Sequence, residues 1–153
     1  MFDRARSVAT LAGRVIIGVI FVFHGWMKVA DMGLARTAQM FEDVGIPLSG
    51  IAGPGVALLE LVGGAALILG AALPLFATLL AMDMFGAIVF VHGPHGLSSE
   101  NGGYEYVLAL AGACLLIAFS GGGVLAVDGL WRRRAPLGGR FRERTTLPRS
   151  QEL

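Results

Sequence analysis

Four apolar stretches dominate this sequence, at residues 8–26, 56–73, 75–91 and 104–120. A helix needs roughly 20 apolar residues to cross a bilayer, at about 1.5 Å per residue. Each stretch meets or approaches that length. Single ionisable residues interrupt the first three, at Arg14, Glu60 and Asp83. Pro74 separates the second stretch from the third, and one helix over both would be far too long. The pair is therefore expected to form a tight helical hairpin. The expected fold class is an all-α membrane protein built as a four-transmembrane-helix bundle. Composition agrees: 55% of the residues are hydrophobic and 15% charged, against about 25% charged in a soluble domain. A soluble globular enzyme and a disordered chain are both disfavoured on these numbers.

Basic residues set the expected orientation. Arg4 and Arg6 precede the first stretch, and Arg132, Arg133, Arg134, Arg140, Arg142, Arg144 and Arg149 follow the fourth. The connection 27–55 holds only Lys28 and Arg36, and 92–103 holds no Lys or Arg. Both termini are expected in the cytoplasm, with the protein multi-pass in the cell (inner) membrane. Arg14 breaks the first apolar run and no convincing small-residue cleavage site follows it, which argues against a removed signal peptide. Residues 1–131 are expected to form the transmembrane domain and 132–153 a basic cytoplasmic tail close to anionic lipid. Between the first two spans, Leu34, Ala38, Phe41 and Val44 recur at helical spacing, opposite Arg36, Gln39, Glu42 and Asp43. A short amphipathic helix over about 33–45, lying on the outer face, is expected there.

Charge inside a span costs about 2.5–3.5 kcal/mol on insertion scales, so each such group needs a partner or a polar cavity. Counted from the span starts, Arg14 lies roughly 9 Å and Asp83 roughly 12 Å from the inner boundary. A structural Arg14–Asp83 ion pair is expected on that basis. Glu60 enters from the outer side, where His24, Lys28, His92 and Glu105 also fall. These five residues are the candidate outer polar site. Arg14, Gly18, Phe21, Gly25 and Lys28 share one face of the first helix, and Glu60, Gly64 and Leu67 share one of the second. Glycines on both faces permit close helix approach.

Two interpretations of the outer cluster stand side by side. It is a hydrogen-bonded group that fixes helix register, or it is a ligand site. As a site, His and carboxylate groups suit a quinone head group, exchanging protons near neutral pH. They also suit a haem or a metal, with His24 and His92 as the candidate ligands. His95 is expected in a loop, because Pro94 disrupts a helical pairing with His92. Cys114, alone in an apolar run, excludes an intrachain disulfide and a CxxC motif, and is expected as a packing residue. Phosphate-loop, dinucleotide, nucleophile-elbow and zinc-protease motifs are missing from the sequence. No nucleic-acid partner is expected.

Several segments, in order, resemble the DoxX family of small four-helix membrane proteins. They are the Arg14…Gly18…Gly25…Lys28 stripe, Phe41…Gly45-Ile46-Pro47 and Glu60-Leu-Val-Gly63-Gly64 with Leu67-Ile-Leu-Gly70. Ala87-Ile-Val-Phe-Val-His92, Asn101-Gly-Gly-Tyr-Glu105-Tyr-Val-Leu108 and a Gly-rich turn leading to Asp128 complete the match. Gly121-Gly122-Gly123 stands where the family usually has Gly-Pro-Gly, and Asp83 is outside the family pattern. The resemblance implies a membrane subunit of a quinone-linked oxidoreductase or oxidative-stress complex, working with protein partners such as a superoxide dismutase and a sulfurtransferase. Any enzyme activity would then belong to a complex rather than to this chain alone. Related folds also act as cargo receptors or assembly chaperones, so a non-catalytic scaffold is the alternative. A small-solute or lipid transporter is the third, and would call for a homo-oligomer.

Overall fold

A computed structural model describes residues 2–120 and 126–127. Helix α1 spans Phe2–Trp26 and runs on without a break through a π-helical turn at Met27–Asp31. Helix α2 (Leu34–Asp43) follows, then α3 (Ser49–Leu69) and α4 (Leu73–Ala87). A second π turn, Ile88–His92, extends α4 into a short 3₁₀ turn at Gly93–His95. A 3₁₀ turn at Ser99–Asn101 leads to α5 (Glu105–Ser120). Among the described residues there is no strand.

Among the described residues three segments are long and apolar enough to cross a membrane: Ala5–Asp31, Ser49–Leu69 and Leu73–His95. Helix α5 is as apolar but has 16 residues, about 24 Å of rise. The span boundaries differ from those expected. Helix α3 starts seven residues before Val56 because Pro54 is accommodated inside it. Proline lacks the amide that would bond the Gly50 carbonyl, a single lost bond close to the helix start. At its other end α3 stops at Leu69. Gly70 takes φ +73°, and the Gly70 and Ala71 amides both donate to the Ala66 carbonyl, at 2.8 and 3.0 Å. Pro74 then falls in the first turn of α4, where a missing N–H costs nothing. The basic stretch 132–153 lies outside the described residues.

Glycine sets the packing of α1 on α3. A Cβ on Gly18 would sit 2.6 Å from the Gly64 carbonyl oxygen, and one on Gly64 would sit 2.7 Å from the Gly18 carbonyl oxygen. A Cβ on Gly25 would sit 2.5 Å from the Leu61 amide nitrogen. The two backbones touch along an antiparallel line, as membrane helices do where small residues line the seam. Gly53 makes the same kind of contact with Ala38 and so seats α2 on α3. Helix α4 packs along α5 through Ala77, Leu80, Ala81 and Met84 against Val107, Leu110, Ala111 and Cys114, all buried. Leu80 also fills the space over Gly63, tying α4 to α3. The outer surface carries Val8, Ile16, Phe23, Leu69, Leu75, Leu116 and Phe119, all exposed, as a lipid-facing surface would.

Gly25→Val forces side-chain atoms into the Leu61 backbone and is expected to destabilise the protein by about 1–3 kcal/mol. Gly13→Ala, on the same helix with nothing within 4 Å of its added Cβ, is expected to leave stability unchanged or slightly raised. Thermal unfolding of both variants in one detergent checks the difference.

Candidate functional site

Both π turns sit beside the same cleft. In each, an amide bonds five residues back, Met32 to the Met27 carbonyl at 2.9 Å and Gly93 to the Ile88 carbonyl. A π turn carries one extra residue per bond, so it rotates the side chains that follow, and such turns are frequent at functional sites. Here the first holds Lys28 and the second holds His92. Lys28 is then fixed from both ends. Its ammonium donates to Glu60 Oε2 at 2.5 Å, with the two side chains 14% and 5% exposed. Its backbone carbonyl lies 3.0 Å from the Thr37 hydroxyl, which shares its single hydrogen with the Gly33 carbonyl, also at 3.0 Å. Thr37 is fully buried and joins α2 to the end of α1.

The cleft has a volume of about 440 Å³, within the range of sites that hold small ligands. Its walls are mostly apolar: Phe21, Met84, Val107 and Leu110, all buried, with Val56, Met40, Phe41, Ile46, Phe90 and Val91, while Tyr106 adds a phenol hydroxyl. Five acidic or basic side chains interrupt them, namely His24, Lys28, Glu60, Asp83 and His92. Four of the five outer-site candidates therefore line one space. Glu105 does not line it. Its Oε1 accepts hydrogen bonds from the Ser99 amide (2.7 Å) and hydroxyl (2.5 Å), which ties the 3₁₀ segment to the start of α5. His95 is likewise outside the lining, with Nδ1 3.1 Å from the Val91 carbonyl.

The structure does not bring Arg14 and Asp83 together as expected: the charged groups beside Asp83 are Glu60 and Lys28, and Lys28 pairs with Glu60. The glycine contacts explain why. Gly18 against Gly64 puts Arg14 level with the turn after α3, so close that a Cβ on Gly70 would meet Arg14 Nη1. Helix α4 only begins at that level, and Asp83 lies ten residues further on, about 15 Å. Asp83 instead faces the cleft, where Glu60 and Lys28 are its charged neighbours. Counting depth from Val8 and Leu75 failed because α1 starts at Phe2, so the first apolar residue did not mark a common level.

His92 illustrates what the loop contributes. Its Nδ1 lies 2.7 Å from the Gly102 carbonyl oxygen. A carbonyl only accepts, so Nδ1 carries the proton and the neutral ring presents Nε2 as an acceptor. Among the described residues no three or more His, Cys, Asp or Glu side chains come close enough together to hold a metal ion. His24 and His92 share the cleft without making such a set. Thr37 was missed by sequence reasoning, although its position between Leu34 and Phe41 on the apolar face of α2 marks it as buried.

The DoxX family model matches residues 9–93. The chain is 31% identical over 126 residues to a Bacillus subtilis (strain 168) protein named "Putative oxidoreductase CatD", covering 82% of this chain and 89% of that one. It is 31% identical to the inner membrane protein YqjF of Escherichia coli (strain K12), over 86% of this chain and 98% of the relative. It is 26% identical to the inner membrane protein YphA of the same organism, over 83% and 93%. No solved structure matches.

Removing one member of the Lys28–Glu60 pair leaves a buried charge uncompensated. Lys28→Met is expected to cost about 3 kcal/mol or more. The double variant Lys28→Met/Glu60→Leu is expected to recover most of that loss. Denaturant or thermal unfolding of the three proteins, compared as a double-mutant cycle, checks this.

Proposed function

The chain belongs to the DoxX family of membrane proteins, and on that premise we propose that it is a membrane subunit of a quinone-linked oxidoreductase whose cleft receives the quinone head group. The carrying observation is the cleft itself, a space of about 440 Å³ with mostly apolar walls and five acidic or basic groups drawn from α1, α3, α4 and the two π turns. The relative named as an oxidoreductase supports the redox class. A quinone supplies two-electron, two-proton redox chemistry, and the residues present fit its needs. The apolar walls suit its ring and isoprenoid start, Lys28 stabilises negative charge, His24 hydrogen-bonds an oxygen, and His92 Nε2 accepts from the hydroxyl of the reduced form. Glu60 holds or releases a proton beside Lys28. Electrons would pass to or from a protein partner. Glu105 is left out of this proposal, since it braces the loop.

In this arrangement α5 makes the fourth crossing, both termini are cytoplasmic and the cleft opens towards the outer leaflet, with α2 lying beside its mouth. The arginine excess before residue 8 and after residue 131 supports that orientation. A Ser150→Cys label in a Cys114→Ser background, reachable only after the membrane is opened from the cytoplasmic side, checks it.

One observation favours the alternative of a non-catalytic scaffold: Lys28 and Glu60 already satisfy each other, as a purely register-fixing pair would. The two are separable. As a redox subunit, the protein with His92→Ala or Glu60→Gln is expected to lose quinone-linked turnover by at least about 100-fold, the scale of one lost acid–base group, while inserting and assembling normally. Quinone reductase or quinol oxidase assays on membranes, with blue-native gels for assembly, measure both. Normal turnover in both variants, with turnover lost instead on disrupting residues 33–45, would establish the scaffold.

A further inference from the structure

A second space lies between α1 and α5. This groove has a volume of about 320 Å³ and is lined by Thr10, Gly13 and Ile17 from α1 and by Ala113, Ile117 and Ser120, among others, from α5. Steps of three and four residues carry both sets into the cleft. On α1 the series continues as Phe21, His24 and Lys28, and on α5, read backwards, as Leu110 and Tyr106. The groove and the cleft therefore open between the same two helix faces. Between them lies one helical turn of packed side chains, about 6 Å from Ile17 to Phe21. The two spaces differ in polarity. The cleft gathers acidic and basic groups. The polar side chains lining the groove are Thr10 and Ser120, both at its far end, and the Thr10 hydroxyl donates to the Arg6 carbonyl at 2.9 Å. From Ile17 to Gly13 the groove meets a ligand with hydrocarbon, and a Cβ on Gly13 would find nothing within 4 Å.

We infer that the cleft and the groove form one track for a long-tailed quinone, the head group held in the cleft and the polyprenyl tail lying along the α1–α5 seam, past Ile17 and Leu110, into the groove. This rests on the quinone assignment above and adds the class of tail and the path it takes. The groove begins at Ile17, seven residues and about 10 Å by helix rise from His24. A single prenyl group on a ring beside His24 stops short of it, and a chain of several units reaches it. Thr10, at the far end, lies about 21 Å from His24 by the same measure. A tail already dissolved in lipid gains the packing of a preformed groove and no transfer out of water, so its contribution to affinity is modest.

The test uses the full-length protein in nanodiscs with two quinones of one ring, a tetraprenyl and a monoprenyl form, titrated as mole fractions of the lipid. The tetraprenyl form is expected to bind about 10-fold more tightly, a factor that about ten well-made carbon contacts supply. Gly13→Leu fills the groove and is expected to remove most of that advantage while leaving monoprenyl binding unchanged. A diazirine at the end of the tetraprenyl tail is expected to label residues 9–17 and 113–120, and unlabelled tetraprenyl quinone is expected to compete. Equal affinity for the two tails overturns this inference and leaves the quinone-linked function standing. Labelling spread over the exposed residues Val19, Leu75 and Phe85 does the same, as does an unaltered tetraprenyl advantage in Gly13→Leu. A photoreactive phospholipid that labels the groove and is not displaced by the quinone also overturns it, by giving the groove to bulk lipid. Binding of neither quinone overturns both readings. The wild-type titrations and labelling decide the matter even where the variant fails to fold.

Discussion

Backbone contact between α1 and α3 is the constraint on which the other features depend. With glycine at 18, 25 and 64, the two helices approach until carbonyl and amide groups touch the space a methyl would occupy. Lipid offers no hydrophobic drive for helices to associate, so close packing has to supply it. This seam also sets vertical register. It puts Lys28 within reach of Glu60 and keeps Arg14 at the far end, beside the turn that opens α4. A single methyl on the seam would disturb the ion pair a turn or more away.

That register separates the buried charges into two places with different characters. Arg14 is fully buried against the α3–α4 turn, where Gly70 leaves room for its guanidinium. Lys28, Glu60 and Asp83 gather around a space with apolar walls. A charge held in protein within the membrane is expected either to be locked in place or to serve the chemistry of a cavity. Here one chain shows both settings, a packed turn and a cavity, about 15 Å apart along the helices by rise. The division also explains how the Asp83 carboxyl is accommodated: it faces a cleft instead of lipid.

Much of this was legible from residue spacing alone. The stripe Arg14, Gly18, Phe21, Gly25 is buried at every position, as a period-3.6 pattern of small and polar residues foretells. So is the Glu60, Gly63, Gly64, Leu67 face of α3. His24, Lys28, Glu60 and His92 were placed in one region by counting along the spans, and they line one cleft. What spacing could not supply was relative height between helices, since apolar residues begin at different levels in different spans. Hence Asp83 was assigned to Arg14. Glu105, expected with them, lies outside the lining: its partner, Ser99, is supplied by a 3₁₀ turn that leaves no periodic trace. Helix α3 outran its expected start because Pro54 in a glycine-rich setting looks like a boundary and is tolerated as helix.

The π turns at Met27–Asp31 and Ile88–His92 carry a consequence for how such a chain can change over time. Each stores one residue more than an α-helix needs at that point. Deleting that residue would leave a continuous α-helix, keep its flanks in place and re-aim the side chains within the turn. Lys28 and His92 sit inside these turns, so a one-codon loss would re-aim the cleft's chemistry without unseating the helices that hold it. Members of a lineage with the same bundle but a straightened helix at either point would keep the scaffold and present a different set of side chains to whatever enters.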